Sequence, residues 1–287
     1  MHKDKISDYD NFSEMWKKEI ATIIGRRFPD RYIDDLKNEV FIIGSGRSGT
    51  SMLTKILRTH TDFCSFSEGN EIWDPKGYPW VKTNLNRPPL WYDPIKYIEV
   101  WREYFNGMYE KQLKGAFGCF QHLTKKKFFL NKSPMNTFRI PDILKMFPDA
   151  QFIHIYRDGR AVSYSWALKQ FEKIKKYKKI YNNRGFYYDF DELIKYTALS
   201  WKKHIEEINL QKKEMDLVQK NILFELSYEE ICADPKANLT EVCDFLSISL
   251  KDMPAEAYSN IKNMNFKWKE NLPESIKNEL NSLLDYN

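Results

Sequence analysis

Five residues, EVFII (Glu39 to Ile43), run directly into GSGRSGTSM (Gly44 to Met52), and this junction limits what the chain can fold into. A short apolar run of this kind reads as a buried strand, and the stretch behind the glycines continues as a helix over 51–58. Gly44, Gly46 and Gly49 permit backbone conformations that a Cβ forbids and let the backbone approach a ligand closely. A glycine turn entering a helix also gathers consecutive N–H groups at the positive end of the helix dipole, a place suited to an anion. The G-x-x-x-x-G spacing of Gly44 and Gly49 is that of a P-loop, but Thr50 stands where the P-loop lysine belongs. The cation is Arg47, inside the loop.

The remainder of the chain alternates in the same manner. Strands are expected at 40–43, 63–66, 128–130, 150–156 (AQFIHIY) and 222–225, and helices at 91–113, 137–146, behind RDGRAVSYSW, at 189–217, 228–232 and 235–247. Ahead of them, residues 8–24 carry helical spacing with Phe12, Met15, Trp16, Ile20, Ile23 and Ile24 on one side. Strands alternating with helices predict an α/β fold, a three-layer sandwich with a mainly parallel central sheet flanked by helices and a P-loop-like phosphate loop. Such sheets bind ligands at the carboxyl ends of their strands. The expected organisation is a single domain over 1–287, with a helical extension at 1–38, a core at 39–273 and a C-terminal helix at 274–287.

With 42% hydrophobic and 30% charged residues, the 287-residue chain belongs to the globular class. No apolar run reaches the ~18 residues that a membrane span requires. The polar start, MHKDKISDYDNF, reads as no signal peptide, so the expected location is the cytoplasm. Four cysteines (Cys64, Cys119, Cys232 and Cys243) lack C-x-x-C spacing and five histidines form no H-x-x-x-H pair, so no metal is expected. The formal charge of +5 suits an anionic ligand, and no stacking or groove-reading motif points to nucleic acid. The lysine run over 169–184 reads as a solvated helix face, with a rim for an acidic acceptor or a membrane surface as the alternative.

The missing lysine bears on the reaction. In a nucleoside triphosphatase it bridges the β- and γ-phosphates while Ser or Thr holds magnesium. Here Asp158 is flanked by Arg157 and Arg160, a setting for anions. Ser48, Thr50 and Ser51 add hydroxyl donors and Arg47 a fork for two oxygens, so the loop is read as holding a phosphate that is not itself transferred. GSGRSGTSM resembles the 5′-phosphosulfate loop of the sulfotransferases that use 3′-phosphoadenosine 5′-phosphosulfate, which implies donor contacts from Arg47, Ser48, Gly49, Thr50 and Ser51. FIHIYRDGRAVSYSW resembles the family's second element and implies that Arg157 and Ser165 clasp the 3′-phosphate. LSYEEICADPKANLTEVCDFL (Leu226 to Leu246) resembles its tyrosine-plus-acidic segment and implies Tyr228 near the adenine. NFKWKENLP (Asn265 to Pro273) resembles the C-terminal loop that closes over the nucleotide and implicates Lys267, Trp268 and Lys269.

Sulfuryl transfer needs a base for the acceptor and a cation for the leaving phosphate, with no metal if the protein supplies enough charge. FLNKSPMN puts Lys132 at a strand end, where it resembles the family's catalytic lysine and implies a contact to the bridging oxygen and sulfonate. The histidine-base branch carries its histidine two residues later, and that slot is Pro134. In SFSEGNEIWDP, Glu68 matches the base of the tyrosylprotein and carbohydrate branch, and Glu71 remains its rival. Ser133 and Arg139 are candidates for the acceptor pocket, Arg139 equally for the helix surface; His122 reads as an ordinary partly buried histidine. The aromatics Trp73, Tyr78, Trp80, Trp91 and Tyr92 either roof that pocket or staple a loop to the core. The reading is therefore a sulfotransferase with catalytic Glu68, Lys132 and Arg47 and a small-molecule, glycan or lipid acceptor. Peripheral membrane contact is left unsupported. A non-catalytic nucleotide-binding protein and a P-loop kinase are the rivals.

Overall fold

The computed structural model describes residues 12–68, 70–73, 89–105, 107–178 and 188–284. Among them, five strands make one sheet: β1 Glu39–Ile43, β2 Phe63–Ser67, β3 Phe128–Lys132, β4 Gln151–Tyr156 and β5 Leu223–Ser227. Their order is β2-β3-β1-β4-β5, and every pairing is parallel, as the strand–helix alternation predicts. The two-residue side-chain period divides each strand between two faces. Phe41 and Ile43 join Phe66, Phe129 and Phe152 on one side, whereas Val40 and Ile42 join Leu130, Ile153 and Leu226 on the other. Burial on both faces explains why these strands read as unbroken apolar runs.

The helices are α1 Phe12–Ile20, α2 Thr50–Leu57, α3 Asn70–Trp73, α4 Pro94–Tyr104, α5 Gly107–Thr124, α6 Ile140–Met146, α7 Gly159–Lys176, α8 Phe190–Met215, α9 Tyr228–Ala233, α10 Pro235–Leu246, α11 Phe266–Asn271 and α12 Glu274–Leu283. The core on one face draws on α4, α5 and α6, through Trp101, Phe117, Phe120 and Ile143. The other is covered by α2, α9 and α10, through Leu53, Ile56, Ile231, Leu239 and Val242. A third cluster ties α7, α8, α11 and α12 together through Trp166, Ala198, Trp201, Trp268 and Leu280. Among the described residues, no helix is long and apolar enough to cross a membrane.

Three sequence expectations change. The helix expected over 91–113 is two: Asp93 caps α4, accepting from the Lys96 N–H at 3.1 Å, and α5 starts afresh at Gly107. The helix expected over 137–146 begins only at Ile140, behind a 3₁₀ turn at Pro134–Phe138, because Pro141 is tolerated only in a first turn. In the N-terminal segment, the side marked by Met15, Trp16, Ile20, Ile23 and Ile24 is exposed. There α1 passes into a π turn, Ala21–Gly25, that rotates the residue register, and the small Ala21 and Gly25 are the ones buried, with Gly25 against Gly115 of α5.

Candidate active site

The loop between β1 and α2 is held open by its backbone. Gly49 is the N-cap of α2 with φ 107°, and Arg47 has φ 74°, a left-handed conformation uncommon for a side-chain-bearing residue. The Gly44 N–H donates to Thr137 Oγ1 at 3.0 Å, and the Ser48 hydroxyl donates to the Ser45 carbonyl at 2.8 Å. The first backbone bond from α2 back into the loop comes from the Leu53 N–H to the Gly49 carbonyl, so the N–H groups of 50–52 lack an intrahelical partner. Ser45 Oγ is buried without a hydrogen-bond partner among the described residues.

The ends of β2 and β3 supply the second part. The Glu68 N–H donates to the Lys132 carbonyl at 2.7 Å, and this bond holds Glu68 at φ 61°, turned out of its strand. Non-glycine residues in this conformation store strain, and they concentrate at functional sites. Lys132 is 3% exposed and carries its ammonium between Glu68 Oε1, at 2.5 Å, and Ser51 Oγ, at 3.3 Å. Burial would raise the Glu68 carboxyl, but the charge and hydrogen bond of Lys132, with Lys169 and Lys173 behind it, hold it below the usual carboxylate range. Asn131 fixes the strand ends, donating to the Phe66 carbonyl at 2.6 Å and accepting from Asn136 at 2.8 Å.

The third part joins the loop to α7. Asp158 caps that helix, accepting from the Arg160 N–H at 2.8 Å, so Arg157 precedes it as expected. Arg47 Nε donates to Ser165 Oγ at 3.1 Å, and an Arg157 Nη donates to the Arg47 carbonyl at 3.1 Å. Tyr228 lies beneath this cluster. The Arg157 guanidinium stands 4.2 Å from its ring centre, and its hydroxyl donates to the Lys262 carbonyl at 3.1 Å. Thr50 and Ser48 are buried at the loop's base.

A cavity of about 190 Å³ joins the loop to the strand ends, lined by Arg47, Thr50, Ser51, Glu68, Lys132 and Ser133, with Leu90, Trp91, Met135 and Trp166 as apolar walls; Ser165 and Tyr228 stay outside its lining, and Arg157 lines a second cavity with Asn265 and Glu229. The segment 266–271 contributes differently from expectation. It is a helix, α11, whose Trp268 is buried under the Arg160 guanidinium at 4.7 Å while Lys267 and Lys269 are exposed; none of the three lines this cavity. The nearby polar tie is Asn265, which accepts from Arg157 Nε at 2.7 Å and donates to Glu229 at 2.5 Å.

Other candidates fall elsewhere. Glu71 belongs to α3, with its side chain outside the described residues, as are Tyr78 and Trp80. Arg139 is not on a surface: 1% exposed, it is sandwiched between Trp73 and Trp101 at 4.8 and 4.5 Å. Trp73 is therefore core, whereas Trp91 reaches the cavity. His122 is exposed, 3.2 Å from Asp35. The lysine run is not wholly a solvated face, because Lys169 and Lys173 line the cavity. Their signal was present in the spacing: Ser165, Lys169 and Lys173 recur every four residues, one stripe of α7.

The family model for the sulfotransferase family matches residues 39–252, which span all five strands and each of the three parts above. The chain belongs to the sulfotransferase family. Among proteins it resembles, the sulfotransferase Stf3 of Mycobacterium tuberculosis, named for ω-hydroxy-β-dihydromenaquinone-9, is 22% identical over 82% of this chain and 68% of its own length. Two solved sulfotransferases share the fold. STF9 of Mycobacterium avium has a TM-score of 0.57 at 14% identity, covering 98% of this chain and 88% of its own. STF1 of Mycobacterium tuberculosis has a TM-score of 0.55 at 12% identity, covering 93% and 83%. Among the described residues of this sulfotransferase, no group of three or more His, Cys, Asp or Glu is gathered as for a metal ion.

Proposed function

We propose that this sulfotransferase moves a sulfuryl group from 3′-phosphoadenosine 5′-phosphosulfate to a hydroxyl or amine, with Glu68 as the base, and that 1–287 acts as one domain. The observation that supports this most is the meeting of an anion loop, a buried lysine and a carboxylate in one cavity, where Lys132 bridges Ser51 and Glu68. The loop suits the donor. Ser45 Oγ has an unused hydrogen-bonding site there, and a Cβ at Gly46 would crowd the Trp166 ring at 3.0 Å.

The donor would supply an activated sulfonate on a phosphate leaving group. Arg47, Ser48 and the N–H groups of Gly49, Thr50 and Ser51 would hold the 5′-phosphate, and Arg157 with Ser165 the 3′-phosphate. Tyr228 would support the adenine end and the exposed Lys267 and Lys269 its rim, with the buried Trp268 anchoring the helix that carries them. Lys132 would set its ammonium against the charge that grows on the leaving oxygen, and Arg47 would share in this. Glu68 would take the acceptor's proton. The carboxylate is useful as a base only once Lys132 leaves it, and an anion seated against Ser51 competes for that ammonium. Leu90, Trp91 and Met135 suit an acceptor with an apolar body, in keeping with the menaquinone derivative in the name of the similar Stf3.

Calorimetric titration tests the reading. Tight binding of 3′-phosphoadenosine 5′-phosphate without metal, against little binding of ATP with magnesium, is expected. Binding of ATP with magnesium that gains nothing from a 3′-phosphate would overturn it in favour of a kinase.

A further inference from the structure

We propose that the acceptor is itself an anion, and that Lys169 and Lys173 of α7 grip its negative group, a phosphate, sulfate or carboxylate, beside the hydroxyl or amine that faces Glu68. The proposal rests on the donor reading above and names the acceptor class for the same site.

The argument starts from α7. Its stripe Ser165, Lys169, Lys173 begins at the loop, where Ser165 accepts from Arg47 at 3.1 Å, and its two lysines then line the cavity together with Glu68 and Lys132. At 1.5 Å of rise per residue, Lys173 lies about 12 Å along the helix from Ser165, beyond the reach of a phosphate held at Ser165. The field of Lys173 is felt instead at Glu68, the acceptor side of the cavity.

Charge points the same way. Among the described lining residues, Arg47, Lys132, Lys169 and Lys173 face the single carboxylate of Glu68. The donor's phosphosulfate would bring one negative charge on phosphorus and one on the sulfonate, which Arg47 and Lys132 would meet, leaving Lys169 for a further anion. No hydrogen bond or ion pair engages the Lys169 ammonium among the described residues, and its surface is open to an incoming ligand. The protein packed around it, then Arg47, Lys173 and Lys132, opposed by Glu68, lowers its pKa to about 8. A cation crowded by cations gains most from an anion. Gln170, 5% exposed, belongs to the same wall, and its Oε1 has no partner among the described residues, an acceptor for a further hydroxyl of the ligand.

Phenyl phosphate and benzyl alcohol, similar in their ring and opposite in charge, are the probes. Each is titrated into protein saturated with 3′-phosphoadenosine 5′-phosphate, for the wild type, Lys169→Met, Lys173→Met and the double variant. Methionine retains the apolar stem and removes the charge. The expected result is saturable binding of phenyl phosphate, weakened on the order of tenfold in each single variant, since a hydrogen bond to a charged group is worth that much. Nucleotide affinity stays unchanged. Phenyl phosphate that binds no better than benzyl alcohol, or that binds the Lys173→Met protein as well as the wild type, would overturn the proposal. A parallel fall in nucleotide affinity would also overturn it, by assigning the lysines to the donor. Wild-type protein that binds no 3′-phosphoadenosine 5′-phosphate would remove the donor reading itself, a distinguishable failure.

Discussion

Gly49→Ala tests the loop through its backbone. With φ 107°, Gly49 sits where an L side chain is strained, at a cost of about 1–2 kcal/mol. Its new Cβ would stand 2.9 Å from Tyr228 Cδ2 and 3.0 Å from Ile155 Cδ1. Tyr228 has little freedom to yield, because its ring lies under Arg157 at 4.2 Å and its hydroxyl donates to the Lys262 carbonyl and accepts from the Met264 N–H at 3.2 Å. Overpacking of this kind adds about 1–3 kcal/mol. The two together, about 2–5 kcal/mol, lower the melting temperature by roughly 5–15 °C in a chain of this size. A shifted Tyr228 also displaces Arg157, so affinity for 3′-phosphoadenosine 5′-phosphate falls. Gly46→Ala is the control, as its φ is ordinary and the nearest atoms to its Cβ are those of the Trp166 ring, at 3.0 Å. Thermal unfolding followed by circular dichroism, with calorimetry for the nucleotide, reads both effects. If Gly49→Ala melts no lower than Gly46→Ala, the account of this turn is wrong.

Glu68→Gln should keep nucleotide affinity and lose turnover by about 10²–10⁴, as measured with labelled donor, while Glu71→Gln stays active. The opposite pattern moves the base to Glu71. Ser165→Ala should weaken 3′-phosphoadenosine 5′-phosphate by roughly tenfold or more and leave adenosine 5′-phosphate untouched; equal losses for both would remove Ser165 from the 3′-phosphate. On the far side of the sheet, Glu225 is held down at about 2 by the hydrogen bond from His154, against the effect of burial, and then by Lys212. Burial pushes His154 itself below its ordinary range, so the contact is a neutral N–H donating to a carboxylate at 3.2 Å. The folded-state value lies below the unfolded one, so this stabilisation is complete above about pH 4.3 and is lost as pH falls toward 2. Denaturant midpoints measured across that window should fall more steeply for the wild type than for Glu225→Gln, and parallel curves would refute the pairing.

The core was legible because its signals are local. A short apolar run bounded by turn or helix-start residues reads as a strand in almost any context, and β1, β2, β3, β4 and β5 each overlap such a run. The strand ends were harder to see, since polar residues extend β3 and β5: Asn131 and Lys132 find their partners in another segment, and Ser227 is also the cap of the helix that follows it. Arg139 shows the same limit. Nothing adjacent in the chain announces the two tryptophans, Trp73 and Trp101, that sandwich it. Large apolar residues likewise suggested the packing side of the N-terminal helix, yet docking on α5 is governed by close backbone approach at Gly25 and Gly115.

By itself, the sequence determined the parallel sheet, the glycine loop between β1 and α2 and the position of Arg157 ahead of α7, because strand period, glycine content and helix capping are properties of neighbouring residues. Only the tertiary structure decided which charges share a cavity. The Lys132–Glu68 pair joins residues 64 positions apart, and the Arg47–Ser165 bond joins residues 118 apart. Lys169 and Lys173 came to line the cavity only because Ser165, on the same helical stripe, is fixed against the loop. Electrostatic energy depends on distance through space, and that distance is set by how the sheet stacks its strand ends, so no local pattern contains it.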